Sequence, residues 1–199
     1  MAAPRKYPIE LKERALRLWR NEALFGAEGQ RRIAQTKVAI VGLGGLGSHV
    51  AQQLAYLGVA DYALVDPDIV TDSSLNRLVG AIDADVAEEM KKILVTERMI
   101  KAVKPDATVK TFDSKIDTVG AEPLIAQADV VFGCLDRDLA RLQLTDICAR
   151  HAKPYFDLAS DTGGEGDVLW YGGASCSATA RAALSASSCS IRKRWRATA

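Results

Sequence analysis

Residues 37–47 read Lys37-Val38-Ala39-Ile40-Val41-Gly42-Leu43-Gly44-Gly45-Leu46-Gly47. An unbroken apolar run that ends in glycine reads as a strand of a parallel sheet covered on both faces. The glycines have the spacing G-x-G-x-x-G, and residues 46–57 behind them read as a helix closed by Gly58. Strand, glycine turn and helix in that order form a phosphate cradle. Gly42 permits the tight turn, Gly44 lets backbone approach a phosphate, and Gly47 lets helix and strand pack closely. The helix N-terminus adds free N–H groups and partial positive charge.

Working outward, DYALVD (61–66) is a second strand ending in Asp66, 24 residues beyond Gly42. An acid at that place can accept hydrogen bonds from a ribose hydroxyl pair. Residues 67–80 read as a polar loop, and 83–104 as one long helix stopped by Pro105. TVKTFD (108–113), ADVVFGCLD (128–136) and PYFDLAS (154–160) are three more strands, with helices at 122–127 and 139–152 between them. This alternation predicts an α/β, Rossmann-like three-layer domain with a mostly parallel sheet. Ahead of it, residues 8–25 read as an amphipathic helix broken by FGAEGQ (25–30).

A dinucleotide is largely neutralised by such a loop, whereas a triphosphate needs further cations and a divalent metal. The sequence offers both. Asn76 and Arg77 follow the aspartate within one loop, and Lys91 and Lys92 come next. Asp136 stands just past the fourth strand, at the carboxyl end of the sheet. One carboxylate plus phosphate oxygens is a site that Mg²⁺ accepts. No hydride-transfer pair such as Tyr-x-x-x-Lys stands out for an NAD(P)-dependent oxidoreductase. A non-catalytic nucleotide-binding module is the third reading.

These stretches, GLGGLGS, LVDPD, SSLNR and ADVVFGCLD, resemble the ThiF/MoeB/HesA superfamily of ubiquitin-activating-type adenylyltransferases over about residues 18–173. Trp19-Arg20-Asn21 and LFGAEGQ resemble its opening segment. Two departures stand in the loop: Ser74 replaces an asparagine, and Leu78 replaces the usual glutamine. The resemblance implies that Gly42, Gly44, Gly45 and Gly47 face the nucleotide, and that Asp66, with Asp68 beside it, meets the ribose. It also implies that Asn76, Arg77 and Lys92 (Lys91 as the alternative) hold phosphates, and that Asp136 carries Mg²⁺. Arg20 would reach the γ-phosphate of a partner subunit in a homodimer. The expected activity is ATP-dependent adenylylation of the C-terminal carboxylate of a small ubiquitin-like or sulfur-carrier protein ending in Gly-Gly. By the same resemblance Arg20, Arg77, Lys92 and Asp136 would form the catalytic set. No transfer cysteine is evident, and His49 and His151 read as structural.

Composition sets the outer limits. The chain has 199 residues, net charge +1 and 48% hydrophobic residues, which excludes a disordered chain and gives no case for a nucleic-acid binder. No apolar run is long enough to span a membrane and no signal-peptide core opens the chain, so a cytoplasmic protein is expected. Cys134 and Cys148 are expected as small core thiols.

The charge divides the chain into segments: +4 over 1–32, −8 over 33–173 and +5 over 174–199. These are read as an N-terminal helical segment, the ATP-binding adenylation domain and a disordered tail. Regrouping the codons of the tail by one base, with G/C-leaning wobble choices, gives RLVLCDGPRCLVCLVVLDQEEVARDG, with a C-x-x-C pair and an apolar run. The tail is therefore read as out of frame after Gly173, with the later part of the family pattern lost. The family's zinc site needs two C-x-x-C pairs and the chain has none, so zinc is expected to be absent.

Overall fold

The computed structural model describes residues 9–118, 120–165, 168–178 and 191–194, with side chains described over 18–118 and 120–160. In chain order the elements are α1 (Ile9–Gln35), β1 (Lys37–Val41), α2 (Gly45–Leu57), β2 (Asp61–Val65), α3 (Asp83–Ala87), α4 (Lys92–Val103) and β3 (Thr108–Phe112). They continue with α5 (Ala121–Ala126), β4 (Val130–Gly133), α6 (Asp138–Arg150), β5 (Tyr155–Glu165), β6 (Val168–Ala178) and β7 (Ile191–Arg194). The sheet order is β3-β2-β1-β4-β5-β6-β7. The first five strands are parallel, while β6 pairs antiparallel with β5 and β7 with β6. The expected Rossmann-like α/β sheet is what the chain forms.

Strand β1 shows why its sequence is apolar from Val38 to Val41. Val38 and Ile40 pack with Tyr62, Leu64 and Ile100 under α2 and α4. Ala39 and Val41 pack with Val131, Leu144 and Ile147 under α5 and α6. Both faces are covered, so neither alternate position can be polar. The strand order reverses between β1 and β4, and ligands of open α/β sheets bind outside the strand ends at such a crevice. The glycine turn sits at that point.

One helix expectation is extended and one needs correction. The break expected at FGAEGQ falls at Gly26 (φ 72, ψ 165), and helix resumes beyond it to Gln35. Beyond the kink, Glu28 binds Arg31 and Arg32 one turn on, and buried Gln30 donates to Leu57 O at 2.7 Å. A single left-handed glycine bends the chain without costing the next turns their bonds. The long helix over 83–104 is two helices. Glu89 is left-handed (φ 49), Met90 O accepts from Val70 N at 2.7 Å, and Lys91 forms a β-bridge with Ile69. Pairing with the loop replaces helical bonds at the place where helix propensity alone reads straight through.

Backbone pairing also runs past the composition break at Gly173. Residues 174–178 finish β6, and β7 pairs with it, while 179–190 and 195–199 lie outside the described residues.

Candidate nucleotide site

The glycine turn is built by close approach. A methyl group on Gly42 would lie 2.6 Å from Cys134 O, and one on Gly47 would lie 1.9 Å from Gly42 O. Only hydrogen fits at either place, which ties the turn after β1 to the turn after β4. Cys134 N donates to Val41 O at 2.8 Å across the same seam. The structure thus brings the strand end that carries Asp136 against the glycine turn. Asp136 itself is exposed and has no hydrogen-bond or ion-pair partner among the described residues.

Asp66 is 4% exposed. Its Oδ2 accepts from Leu43 N at 2.6 Å and its Oδ1 from Asp68 N at 2.8 Å. Burial raises its pKa, against the opposing pull of those two amides and of Lys92. Its carboxylate therefore fixes the turn at its own strand end, with both oxygens engaged.

Around it stand the cations. Lys92 Nζ meets Asp68 Oδ2 at 2.7 Å, and the lysine side chain is 14% exposed. Its amide donates to Asp68 O at 3.0 Å, so the lysine opens α4 as a second seam at the site. Lys91 points elsewhere, to Pro67 O at 3.5 Å and Asp113 Oδ1 at 3.4 Å. Arg77 lies over the glycine turn: a methyl on Gly45 would stand 3.2 Å from its Cδ. Its guanidinium donates to Ser73 O and to Asn76 Oδ1. Asn76 and Arg77 are both exposed.

Both departures in the loop have structural partners. Ser74 is buried and makes a reciprocal cap with Thr71, accepting from Thr71 N at 3.2 Å. Leu78 is buried with Val70 and Val95, anchoring the loop on α4. Ser48, which sequence reasoning passed over, accepts from Val79 N at 3.1 Å and donates to Gly45 O at 3.1 Å. That residue fastens the loop to α2, and its place directly after the last glycine was the available signal.

No hydrogen bond or ion pair joins Arg20 to the glycine turn, Arg77, Lys92 or Asp136 among the described residues. Leu18, two residues before it, packs on Gly58 at the far end of α2. The glycine turn is at the near end, and a helix of 13 residues spans roughly 20 Å. Arg20 is exposed, with its guanidinium carbon 5.6 Å from the Trp19 ring centroid.

Of the remaining expectations, Cys148 is buried and Cys134 half-buried, both as free thiols pushed up to about 12 mainly by burial. His49 donates from Nδ1 to Gly45 O at 2.6 Å, and His151 meets Glu122 at 2.7 Å. Of Cys176 only the backbone is described, and Cys189 lies outside the described residues. No described helix is long and apolar enough to cross a membrane.

Among the described residues no group of three or more His, Cys, Asp or Glu side chains could hold a metal by itself. Asp136, exposed and without a partner among the described residues, stands beside the glycine turn, and a single such carboxylate fits Mg²⁺ when phosphate and water supply the other ligands.

Comparison with known proteins gives one family. The ThiF family model matches residues 18–192. The chain is 34% identical over 123 residues to the SAMP-activating enzyme E1 of Haloferax volcanii, covering 62% of this chain and 45% of that protein. It is 30% identical over 165 residues to the adenylyltransferase and sulfurtransferase UBA4 of Vanderwaltozyma polyspora, covering 82% and 37%. It is 33% identical over 124 residues to the molybdopterin-synthase adenylyltransferase of Escherichia coli, covering 62% and 49%. The chain thus spans half or less of the length of these relatives. In fold it resembles E. coli MccB solved with ATP, with a TM-score of 0.63 at 24% identity over 78% of this chain and 47% of that one. It also resembles PaaA, with a TM-score of 0.63 at 27% identity over 86% and 56%.

Proposed function

The chain belongs to the ThiF family, and on that premise we propose that it uses ATP to adenylylate the C-terminal carboxylate of a small ubiquitin-like or sulfur-carrier protein ending in Gly-Gly. The observation that carries this reading is the seam between the two strand ends. Gly42 and Cys134 touch through backbone, so the glycine turn and the Asp136 turn border one crevice. Arg77 and Lys92 flank it from the loop and the start of α4.

The chemistry needs little beyond placement and charge. A carboxylate is ionised at neutral pH and requires no base. One of its oxygens attacks the α-phosphorus, the bond to the bridging oxygen breaks, and pyrophosphate leaves with its electron pair. The barrier lies in bringing an anion to a polyanion. Free amides at the start of α2 cradle phosphate, and Arg77 and Lys92 neutralise it. Asn76 donates to a phosphate oxygen, Gly44 and Gly45 leave room for close approach, and Asp66 and Asp68 shape the ribose end. Asp136 would hold Mg²⁺, which supplies charge neutralisation at the phosphates.

Arg20 acts across a homodimer in this reading. Support comes from its placement away from its own glycine turn and from Trp19, Leu24 and Phe25, exposed by 54%, 76% and 45% on the same helix. Two free thiols suit a cytoplasmic setting. The composition break after Gly173 is read as a lost base, and a gene sequence lacking the alternative frame removes that idea.

The test is pyrophosphate–ATP exchange by the full chain with candidate carrier proteins. Exchange that requires an intact Gly-Gly terminus supports the proposal. Absence of exchange with every such carrier, under conditions where ATP binds, overturns it.

A further inference from the structure

At the end of β4 lies a group of three side chains that the proposed reaction does not use. Asp157 stands opposite Gly133 in the β4–β5 register. Arg141 forks onto it, with Nε at 3.1 and 3.2 Å from the two oxygens and Nη2 at 2.5 Å from Oδ2. The same guanidinium reaches Asp138 Oδ1, in the first turn of α6, at 3.5 Å. Tyr155 crosses over Gly133 and donates to Asp157 Oδ1 at 3.2 Å. A methyl on Gly133 would stand 2.6 Å from that hydroxyl, so β4 must end in glycine for the tyrosine to pass.

The turn 134–137 is thereby held on two sides. Toward β1 it rests on Gly42, through Cys134 O and the Leu135 side chain. Toward β5 it is held by Arg141, whose own amide makes an early α6 bond to Arg137 O at 3.0 Å. The Arg141 and Asp157 side chains are 27% and 18% exposed, so the pair is shielded and geometrically fixed. We infer that Arg141, Asp157 and Tyr155 are positioning residues: a clasp that sets the turn carrying Asp136 against the glycine turn. The guanidinium is engaged by two carboxylates and is not offered to a ligand. The role given to Asp136 rests on the proposed nucleotide reading. The mechanical claim, that the clasp holds the turn, does not.

Cys134 and Cys148 provide the measurement. Cys134 lies in the clasped turn, and Cys148 is buried in α6. Peptide-resolved alkylation of the full chain compares them in wild type, Tyr155→Phe and Arg141→Lys. Neither variant changes net charge, and lysine keeps the cation but loses the fork. Alkylation at Cys134 is expected to rise roughly tenfold in each, with Cys148 unchanged, as local opening does. Should Arg141→Lys not fold, Tyr155→Phe decides. Parallel rises at both thiols, or continued protection of Cys134, overturn the clasp.

ATP binding then connects the clasp to the site. In the same variants the Mg²⁺ concentration needed for half-maximal ATP binding is expected to rise by roughly tenfold, the order typical when a metal-ligand carboxylate loses its support. Binding without Mg²⁺ should hold. Equal weakening with and without Mg²⁺ overturns the positioning role. A wild-type chain that binds no ATP overturns the nucleotide reading, while alkylation still judges the clasp.

Discussion

The Leu43 amide donates to Asp66 Oδ2 at 2.6 Å, so the acid at the end of β2 closes the glycine turn at the end of β1. The side chain is buried and its other oxygen holds the Asp68 amide. A substitution at Asp66 therefore also changes the shape of the turn.

Asp66→Ala leaves the buried Leu43 amide and the partly buried Asp68 amide without acceptors and should destabilise the fold by about 1–3 kcal/mol. Thermal unfolding measures that loss. Sign matters in the pH dependence. Burial raises the folded-state pKa above the ordinary 3.8. Stability from this group is fully present below 3.8 and is lost as pH rises through the higher folded value. Asp66→Asn should flatten that decline in urea titrations run across the acid range.

Asp85 should behave in the opposite sense. Arg98 holds its carboxylate with bonds at 2.8 and 2.6 Å, which pulls its pKa below the ordinary value of 3.8. Stability from this pair is present above 3.8 and is lost as pH falls through the lower folded value. Arg98→Met should cost about 1 kcal/mol at neutral pH, held low because the arginine is half exposed. Little of that difference should persist at pH values where Asp85 is protonated.

Lys92, rather than Lys91, should carry ATP affinity. Lys92 is paired with Asp68, whose amide Asp66 holds, while Lys91 is turned to Asp113. Lys92→Ala should weaken ATP binding by roughly 10–100-fold, as loss of a charge-assisted phosphate contact does, with Lys91→Ala within about threefold of wild type. Titration with a fluorescent ATP analogue separates them. A reversed order would move the phosphate site to the other side of the α4 start.

Asp136→Ala should abolish pyrophosphate exchange while leaving the melting temperature unchanged, because the residue is exposed and has no partner among the described residues. Retained exchange would remove Asp136 from the metal site.

The sheet was legible in the sequence because β1 is apolar from Val38 to Val41 and buried on both faces there, and because glycines 42 and 47 are demanded by contacts at 2.6 and 1.9 Å. What escaped was decided by distant partners. Nothing local in 83–104 announces the break at Glu89, which exists because Met90 and Lys91 pair with Ile69 and Val70. The break at Gly26 was legible, but the helical turns that resume after it to Gln35 were not. The Arg141–Asp157 clasp joins residues 16 apart on different elements, and no motif spacing links them.

Arg20 provides the sharpest test of assembly. Its neighbour Leu18 packs at the far end of α2, which lies a helix length, roughly 20 Å, from the glycine turn. If the arginine serves a γ-phosphate, the phosphate belongs to another copy. Arg20→Ala and Asp136→Ala should each lack exchange alone. Mixed in equal amounts and allowed to re-pair, half of the dimers are hybrids, and each hybrid holds one site with an intact Arg20 and an intact Asp136. Exchange should return to roughly a quarter of wild type, because half the dimers carry one good site in two. A residue acting within its own chain gives no such recovery, since each subunit in the mixture would still carry one damaged member of the pair.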